Sequence, residues 1–283
     1  MQPLSVIPWS EVPSAALAGV RGVLTDIDDT LTSGGAIEPV ALDALQALRA
    51  AGLPVIAITG RPMGWSLPFA RDWPVAAIVA ENGAVAMFCQ GDALLTEYAQ
   101  DDAMRSRNAE RLRAVAQRLL REVPGTSLAL DSPGRVTDIA IDHSEFAHMD
   151  EDSIAAVVAV MQGEGMNATV SSIHINGWFG EHTKLSGARW MLRRLYGRDL
   201  DAEAARWVYV GDSTNDQTMF GYFPLSVGVA NLRDFAEQLH TWPAYITEGE
   251  RGAGFAEVAA RLAPSLTKRA EGLPSSSFKR RPG

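Results

Sequence analysis

Short apolar runs that end abruptly in polar or glycine residues recur along the chain. A half-exposed strand alternates apolar and polar positions, whereas a strand buried on both faces of a parallel sheet is apolar throughout. The runs are therefore predicted to be buried parallel strands. They are residues 23–24 before Thr25 and Asp26, residues 55–58 before Thr59 and Gly60, residues 76–80 before Glu81, Asn82 and Gly83, and residues 207–210 before Gly211 and Asp212.

Helical patterns separate the first three runs. Residues 39–51 carry apolar side chains at helical spacing and stop at Gly52, and residues 62–70 begin with a proline, which is favoured in a first helical turn. Strands alternating with helices predict an α/β fold, a Rossmann-like parallel sheet flanked by helices. Ligands of such sheets bind beyond the carboxyl ends of the strands, where the polar clusters are expected to lie.

The middle of the chain has a different pattern, with a long polar helix predicted at residues 102–122 and a strand at residues 168–175. We interpret it as an inserted α+β cap domain. The predicted division is a core of residues 1–85 and 180–263, a cap of residues 86–179 and a tail of residues 264–283. The tail is rich in Ser, Pro, Lys and Arg, and is predicted to be disordered.

Composition and charge restrict the partners and the cellular location that are expected for this protein. The net charge of −9 argues against a nucleic-acid partner. The single cysteine, Cys89, excludes an intramolecular disulfide and fits a reducing compartment. We identify no membrane span and no basic signal sequence in residues 1–20, so a cytoplasmic location is expected. The sequence does not indicate the oligomeric state.

Two carboxylates, Asp26 and Asp28, follow the first predicted strand two positions apart. They are either an ordinary acidic turn or a site where a cation offsets their repulsion. A calcium loop of the EF-hand kind is excluded, because Leu31 and Ile37 occupy its glycine and glutamate positions. A hard cation with oxygen ligands fits, and Mg²⁺ is common where phosphate is also bound.

A second acidic cluster favours the cation site. Asp212 and Asp216 follow another buried strand, and acids at the ends of two parallel strands converge only at the edge of the sheet. Four uncompensated carboxylates there would be costly.

Two further segments offer groups for a phosphate. Thr59 and Gly60 lie between a predicted strand and the predicted helix that follows it. They therefore either cap that helix or bind a phosphate oxygen. Lys184 is the only lysine before residue 268. It is either a surface cation or a charge that bridges phosphate and carboxylate.

These motifs, in this order, resemble those of the haloacid dehalogenase superfamily. The subgroup with an α/β cap between the second and third motifs is the most similar; it includes sucrose-phosphate, trehalose-phosphate and mannosyl-3-phosphoglycerate phosphatases. The segment Ala80 to Ala84 and the insert support this, and residues 251–255 faintly resemble the last of these enzymes. The matching motifs are residues 26–31, Thr59 within residues 58–61, Lys184, and residues 211–216.

The resemblance implies a function and residue roles. The expected activity is that of a Mg²⁺-dependent phosphatase acting on a small phosphorylated metabolite through an aspartyl phosphate. Asp29 departs from the commonest pattern, in which Gly is frequent. The implied roles are nucleophile for Asp26, general acid and base for Asp28, phosphate binding for Thr59, Gly60, Lys184 and Asn215, and metal binding for Asp26, the Asp28 carbonyl, Asp212 and Asp216.

The leaving group would be selected by the cap. Ser171, Ser172, His174 and Asn176 either face solvent or bind the leaving group, and their donors favour a phosphorylated sugar or a phosphoglycerate-type ester. A phosphomutase on the same scaffold and a non-catalytic binding protein are the alternatives.

Overall fold

The computed structural model describes residues 6–263, so the predicted disordered tail lies outside the described residues. Within this range fourteen strands form three sheets. The strands are β1 (Ile7–Pro8), β2 (Gly22–Thr25), β3 (Thr32–Ser33), β4 (Ala36–Ile37), β5 (Val55–Ile58), β6 (Ala77–Ala80), β7 (Val85–Gln90), β8 (Ala93–Tyr98), β9 (Asp138–Asp142), β10 (Asn167–Val170), β11 (His174–Trp178), β12 (Trp207–Gly211), β13 (Leu225–Gly228) and β14 (Tyr245–Ile246).

The same range contains ten α-helices and several short 3₁₀ turns. None of the helices between residues 6 and 263 is long and apolar enough to cross a membrane. The helices are α1 (Ser14–Leu17), α2 (Pro39–Ala50), α3 (Met63–Ser66), α4 (Phe69–Asp72), α5 (Asp102–Glu122), α6 (Glu151–Gly163), α7 (Lys184–Tyr196), α8 (Leu200–Glu203), α9 (Gln217–Tyr222) and α10 (Arg251–Leu262).

The largest sheet has nine strands in the order β1-β14-β13-β12-β2-β5-β6-β7-β8. The pairs from β1 to β6 are parallel, and the last two pairs, β6 with β7 and β7 with β8, are antiparallel. The predicted α/β class, a mostly parallel sheet flanked by helices, is confirmed.

Burial on both faces explains the uninterrupted apolar runs. Successive residues of β5 point to opposite faces, so Val55 lies in the apolar layer that includes α2 and α10, and Ile56 lies in the layer that includes α7 and α9. Both residues are almost fully buried. A polar residue at either position would lie in an apolar layer, which is why the strand shows no alternation.

The insertion forms a second, smaller sheet with its own core. The antiparallel strands β10, β11 and β9 pack against α5 and α6 through apolar side chains such as Leu119, Ile141 and Met161. This sheet lies over the carboxyl ends of the core strands; for example, the Thr214 hydroxyl donates to the Val170 carbonyl at 2.7 Å.

The predicted start of the cap at residue 86 is wrong. Strands β7 and β8 pair with the core sheet, so the insertion begins after Tyr98. Val85 and Phe88 lie in the two apolar layers of the core, which explains the strand's place there. The Asn82–Gly83 dipeptide between two apolar runs is a hairpin signal that could have revealed this pairing.

The single strand predicted at residues 168–175 is also wrong. The segment makes a hairpin in which β10 turns at residues 171–173 into β11. Both Ser171 and Ser172 lie in this turn, and the Ser171 hydroxyl accepts the His174 N–H at 3.0 Å. Serine side chains compete with ladder hydrogen bonds in this way, which interrupts the strand.

The two connections between core and insertion are bonded to each other. The Gln100 side chain in the first donates to the Phe179 carbonyl in the second at 2.7 Å. Next to it the His182 ring stacks on Trp178, with centroids 5.6 Å apart. Burial lowers the pKa of His182 to about 4.

We expect His182 to destabilise the protein in mild acid. An unfolded histidine has a pKa of about 6.5, so below that pH the unfolded chain binds a proton that the folded protein does not bind until the pH approaches 4. The test is urea unfolding of the wild type and of His182→Phe, which keeps the stacked ring. Between pH 7 and pH 5 the free energy of unfolding of the variant should fall by roughly 2 kcal/mol less than that of the wild type. Equal losses in both proteins would contradict this account.

Candidate active site

Three adjacent strands bring the predicted residues together. Strand β2 lies between β12 and β5 in parallel register, and the Asp26 N–H donates to the Val210 carbonyl at 2.9 Å. Asp26, Asp212 and Thr59 directly follow these strands. The predicted convergence at one edge of the sheet therefore occurs in the structure.

Lys184 reaches this edge from the start of α7, which Thr183 caps. The helix start lies tightly against the turn Glu81–Gly83. A Cβ on Gly83 would lie 2.1 Å from the Thr183 carbonyl oxygen, and Gly83 has φ +109°, so only glycine fits. This close approach sets the position of the lysine relative to the strands.

The Lys184 ammonium is the centre of the site. It is 5% exposed and donates to Asp26 Oδ1 at 2.5 Å, Asp216 Oδ1 at 2.7 Å and Asn215 Oδ1 at 3.1 Å. One cation thus contacts two buried carboxylates, which leaves this part of the site net negative.

Asp216 has both carboxylate oxygens occupied. Oδ1 also accepts the Tyr209 hydroxyl, and Oδ2 accepts the N–H groups of Asp212 and Ser213 at 3.0 and 3.3 Å. The absent side chain of Gly211 makes this possible, because a Cβ there would lie 2.4 Å from Oδ2. Asp216 therefore orients the loop and the lysine, and has little capacity left for a metal ion.

Asp212 differs, because its Oδ2 is buried without a hydrogen-bond partner among the described residues. Burial raises its pKa well above the usual range, and the charges of Asp26 and Asp216 raise it further. Oxygen atoms of these three carboxylates lie within 4.8 Å of one another. An oxygen-liganded divalent cation fits between Asp26 and Asp212, with Asp216 beside them, because it would satisfy the unpaired Asp212 oxygen and offset the clustered charge.

The Asp28 side chain is not part of that cluster. Its Oδ1 accepts Arg61 Nε at 2.9 Å, and its Oδ2 lies 3.5 Å from the Thr59 hydroxyl. Burial raises the pKa of Asp28, although the Arg61 guanidinium opposes the shift. A carboxyl group with a raised pKa is suited to donate a proton.

Arg61 connects the core to the insertion, a role that the sequence did not reveal. Besides Asp28, its guanidinium contacts Asp131 at 3.2 Å and Glu145 at 2.9 Å. Glu145 in turn lies 2.8 Å from His174 Nε2. The Thr-Gly-Arg sequence at the end of a predicted strand could have marked Arg61 as a functional residue. Nothing in the pattern indicates that its partners are Asp131 and Glu145.

Glu81 forms a second connection, which the sequence pattern does not indicate. It is fully buried, and its carboxylate accepts the Thr137 N–H at 2.6 Å, the Thr137 hydroxyl, and the N–H groups of Met63 and Val136 at 3.0 and 3.1 Å. This single carboxylate joins the core to the segment that precedes β9.

All four predicted cap residues line a narrow cleft above the strand ends, which we call the central cleft. Ser171 is bonded within its own turn, His174 pairs with Glu145, and Asn176 donates to Asp138 at 3.1 Å and to the Gly60 carbonyl at 3.3 Å. The cleft is lined by Asp26, Asp28, Gly60, Arg61, Ser171, Ser172, Ile173, His174, Asn176, Ser213 and Asn215.

Asp29 has a positive φ of 51°, which explains why glycine suits this position. Aspartate tolerates this backbone region better than most residues. Its carboxylate pairs with Arg251 at 3.0 Å, and its carbonyl accepts from Asn231 at 3.0 Å. The extra charge is therefore partly neutralised by the start of α10.

Comparisons with known proteins agree with this architecture. Residues 23–109 match the family model for haloacid dehalogenase-like hydrolases. A comparison with curated protein sequences gives no match.

Solved structures share the fold along most of the chain. A Thermoplasma acidophilum protein is 15% identical with a TM-score of 0.67, covering 86% of this chain and 98% of its own. The sucrose-phosphatase of Synechocystis, in complex with sucrose and phosphate, is 16% identical with a TM-score of 0.62 and coverages of 86% and 98%. A trehalose-6-phosphate phosphatase related protein is 13% identical with a TM-score of 0.56 and coverages of 87% and 99%.

The predicted resemblance to the haloacid dehalogenase superfamily is confirmed. Residues 23–109 match its hydrolase model, and the solved structures share the fold along most of the chain.

The unpaired carboxylate oxygen of Asp212 leads to a prediction about thermal stability with and without Mg²⁺. Asp212→Asn removes an unpaired buried charge, so without divalent cations the variant should melt at a higher temperature than the wild type. Added Mg²⁺ should stabilise the wild type, by about 2.7 kcal/mol at 100 times its Kd, and leave the variant nearly unchanged. Thermal melts in EDTA and in Mg²⁺ test this, and an equal response of both proteins to Mg²⁺ would exclude Asp212 as a ligand.

Proposed function

We propose that the protein is a Mg²⁺-dependent phosphatase that hydrolyses a small phosphomonoester through an aspartyl phosphate on Asp26. The observation that carries the proposal is the contact of the Lys184 ammonium with Asp26 inside a group of buried carboxylates at the strand ends. A charge of this kind beside a carboxylate is suited to hold a phosphoryl group against its nucleophile.

The metal would be held by Asp26, Asp212 and the Asp28 backbone carbonyl, with Asp216 in support. When bound, Mg²⁺ offsets the negative charge of the phosphoryl group and of the carboxylates around it. Thr59, Gly60, Lys184 and Asn215 would bind the remaining phosphate oxygens. Of these, the Thr59 hydroxyl also accepts the Arg61 N–H at 3.0 Å, which orients it.

In the first step an Asp26 oxygen forms a bond to phosphorus while the bond from phosphorus to the leaving oxygen breaks. The Asp28 carboxyl group donates its proton to that oxygen, so the leaving group departs as a neutral alcohol. The raised pKa of Asp28 favours the protonated form that this step requires.

In the second step the Asp28 carboxylate takes a proton from water as the water oxygen bonds to phosphorus. The bond between phosphorus and the Asp26 oxygen breaks, which releases phosphate and restores the Asp26 carboxylate. Asp28 ends protonated, as it began. The inserted sheet above the cleft would exclude other water during both steps.

A sugar phosphate is the substrate class that we favour. The insertion lines the cleft with hydroxyl, imidazole and amide side chains, those of Ser171, Ser172, His174 and Asn176. Groups of this kind can donate to and accept from the hydroxyl groups of a sugar. The likeness to a sucrose-phosphatase supports this choice.

Asp26→Asn should reduce phosphate release from p-nitrophenyl phosphate to background, because the amide is a poor nucleophile and a poor metal ligand. The substitution changes little volume, so the melting temperature should show a folded protein. Asp92→Asn, in the exposed turn between β7 and β8, is the matched control and should keep full activity. Substantial turnover by a folded Asp26→Asn protein would refute the mechanism.

Asp28→Asn should slow turnover by about 10²–10⁴-fold, because it removes the proton donor and base. The leaving group of p-nitrophenyl phosphate needs little protonation, so with this substrate the substitution should slow the second step more than the first. Rapid mixing should then show a burst of about one p-nitrophenolate per active site, followed by slow release. A slow reaction without a burst would show that Asp28 is not the base of the second step.

A further inference from the structure

Between residues 6 and 263, left-handed backbone at residues other than glycine occurs in two places. One is the turn at Glu81 and Asn82. The other is formed by two residues that are remote in sequence, Asp29 with φ +51° and Arg251 with φ +48°. Such conformations are strained in residues that have a Cβ, and they persist only where the surrounding structure holds them, commonly at functional sites.

Asp29 and Arg251 are bonded to each other. Arg251 Nε donates to Asp29 Oδ1 at 3.0 Å. The Asn231 side chain bridges the two backbones, because its Nδ2 donates to the Asp29 carbonyl at 3.0 Å and its Oδ1 accepts the Arg251 N–H at 2.9 Å. The start of α10 is itself held, since the Gly252 N–H donates to Glu38 Oε2 at 2.8 Å. The turn at Asp29 is thus fixed by segments about 200 residues further along the chain.

The conformation of Asp29 orients a group of the proposed metal site. The Asp28 carbonyl and the Asp29 N–H belong to one planar peptide, and the φ angle of Asp29 rotates that plane relative to the rest of the residue. A contact that holds Asp29 in the left-handed region therefore also holds the Asp28 carbonyl. The next residue bonds the turn to another proposed ligand, because the Thr30 hydroxyl donates to Asp212 Oδ1 at 3.4 Å.

We propose that Arg251 is a positioning residue for the metal, which acts through Asp29 and Asn231 to keep the Asp28 carbonyl available as a ligand. This role rests on the metal site of the proposed function. The alternative is that Arg251 only offsets the charge of Asp29. The two accounts predict opposite effects of removing the guanidinium, because a positive charge close to a metal site repels the cation.

Titration calorimetry with Mg²⁺, on protein freed of divalent cations, separates the two accounts without requiring catalysis. If Arg251 positions the carbonyl, Arg251→Gln should bind Mg²⁺ roughly tenfold more weakly than the wild type, as is usual when a group that orients a metal ligand is lost. Arg251→Lys keeps a charge for Asp29, so its affinity should lie closer to that of the wild type. Unchanged or tighter Mg²⁺ binding by Arg251→Gln would overturn the proposal.

Asn231→Ala tests the same role without any change of charge. The substitution removes both bridging hydrogen bonds, so positioning predicts weaker Mg²⁺ binding, whereas an effect of charge alone predicts no change. The matched control is Arg233→Gln, which removes an exposed arginine two positions further along and should bind Mg²⁺ like the wild type. A folded Asn231→Ala protein with wild-type affinity, or an equal loss in Arg233→Gln, would contradict the proposed role. Thermal melts in EDTA show whether each variant is folded.

Phosphate release from p-nitrophenyl phosphate is measured separately, so a failure of the proposed function can be told from a failure of this role. A wild type that binds Mg²⁺ but releases no phosphate would refute the phosphatase, and the Mg²⁺ affinities of the variants would still decide the role of Arg251. A wild type that binds no Mg²⁺ would refute both proposals.

Discussion

The structure depends on one buried ammonium. Lys184 is enclosed with Asp26 and Asp216, and without it their charges would be buried and unopposed. Removing one partner of such a group costs about 3–5 kcal/mol, because the remaining charge is uncompensated. The glycine at position 83, the cap at Thr183 and the hydrogen bonds of Asp216 all serve to hold this lysine at the strand ends.

The acidic groups at the strand ends form two separate sets. Asp26, Asp212 and Asp216 cluster beside Lys184, where we propose that a metal and a phosphoryl group bind. Arg61 instead joins Asp28 to two carboxylates of the insertion. A movement of the inserted sheet would therefore act directly on the side chain that orients Asp28. Glu81 limits such movement, because it bonds the backbone ahead of β9 to the core.

Much of the fold was predictable because parallel strands buried on both faces leave a distinct pattern. The convergence of Asp26, Thr59 and Asp212 followed from that pattern, since the carboxyl ends of parallel strands share one edge. The hairpin of β7 and β8 was missed because an apolar run looks the same in a core sheet and in an insertion. Only its pairing with β6 decided where it belongs.

The sequence by itself determined the sheet, the order of the motifs and the candidate residues at the strand ends, because local periodicity reports burial. Only the tertiary structure decided which groups surround them. Arg61 contacts Asp131 and Glu145 across 70 and 84 residues of chain. Such contacts are set by how the insertion packs on the core, and the packing of two surfaces leaves no periodic pattern in either segment.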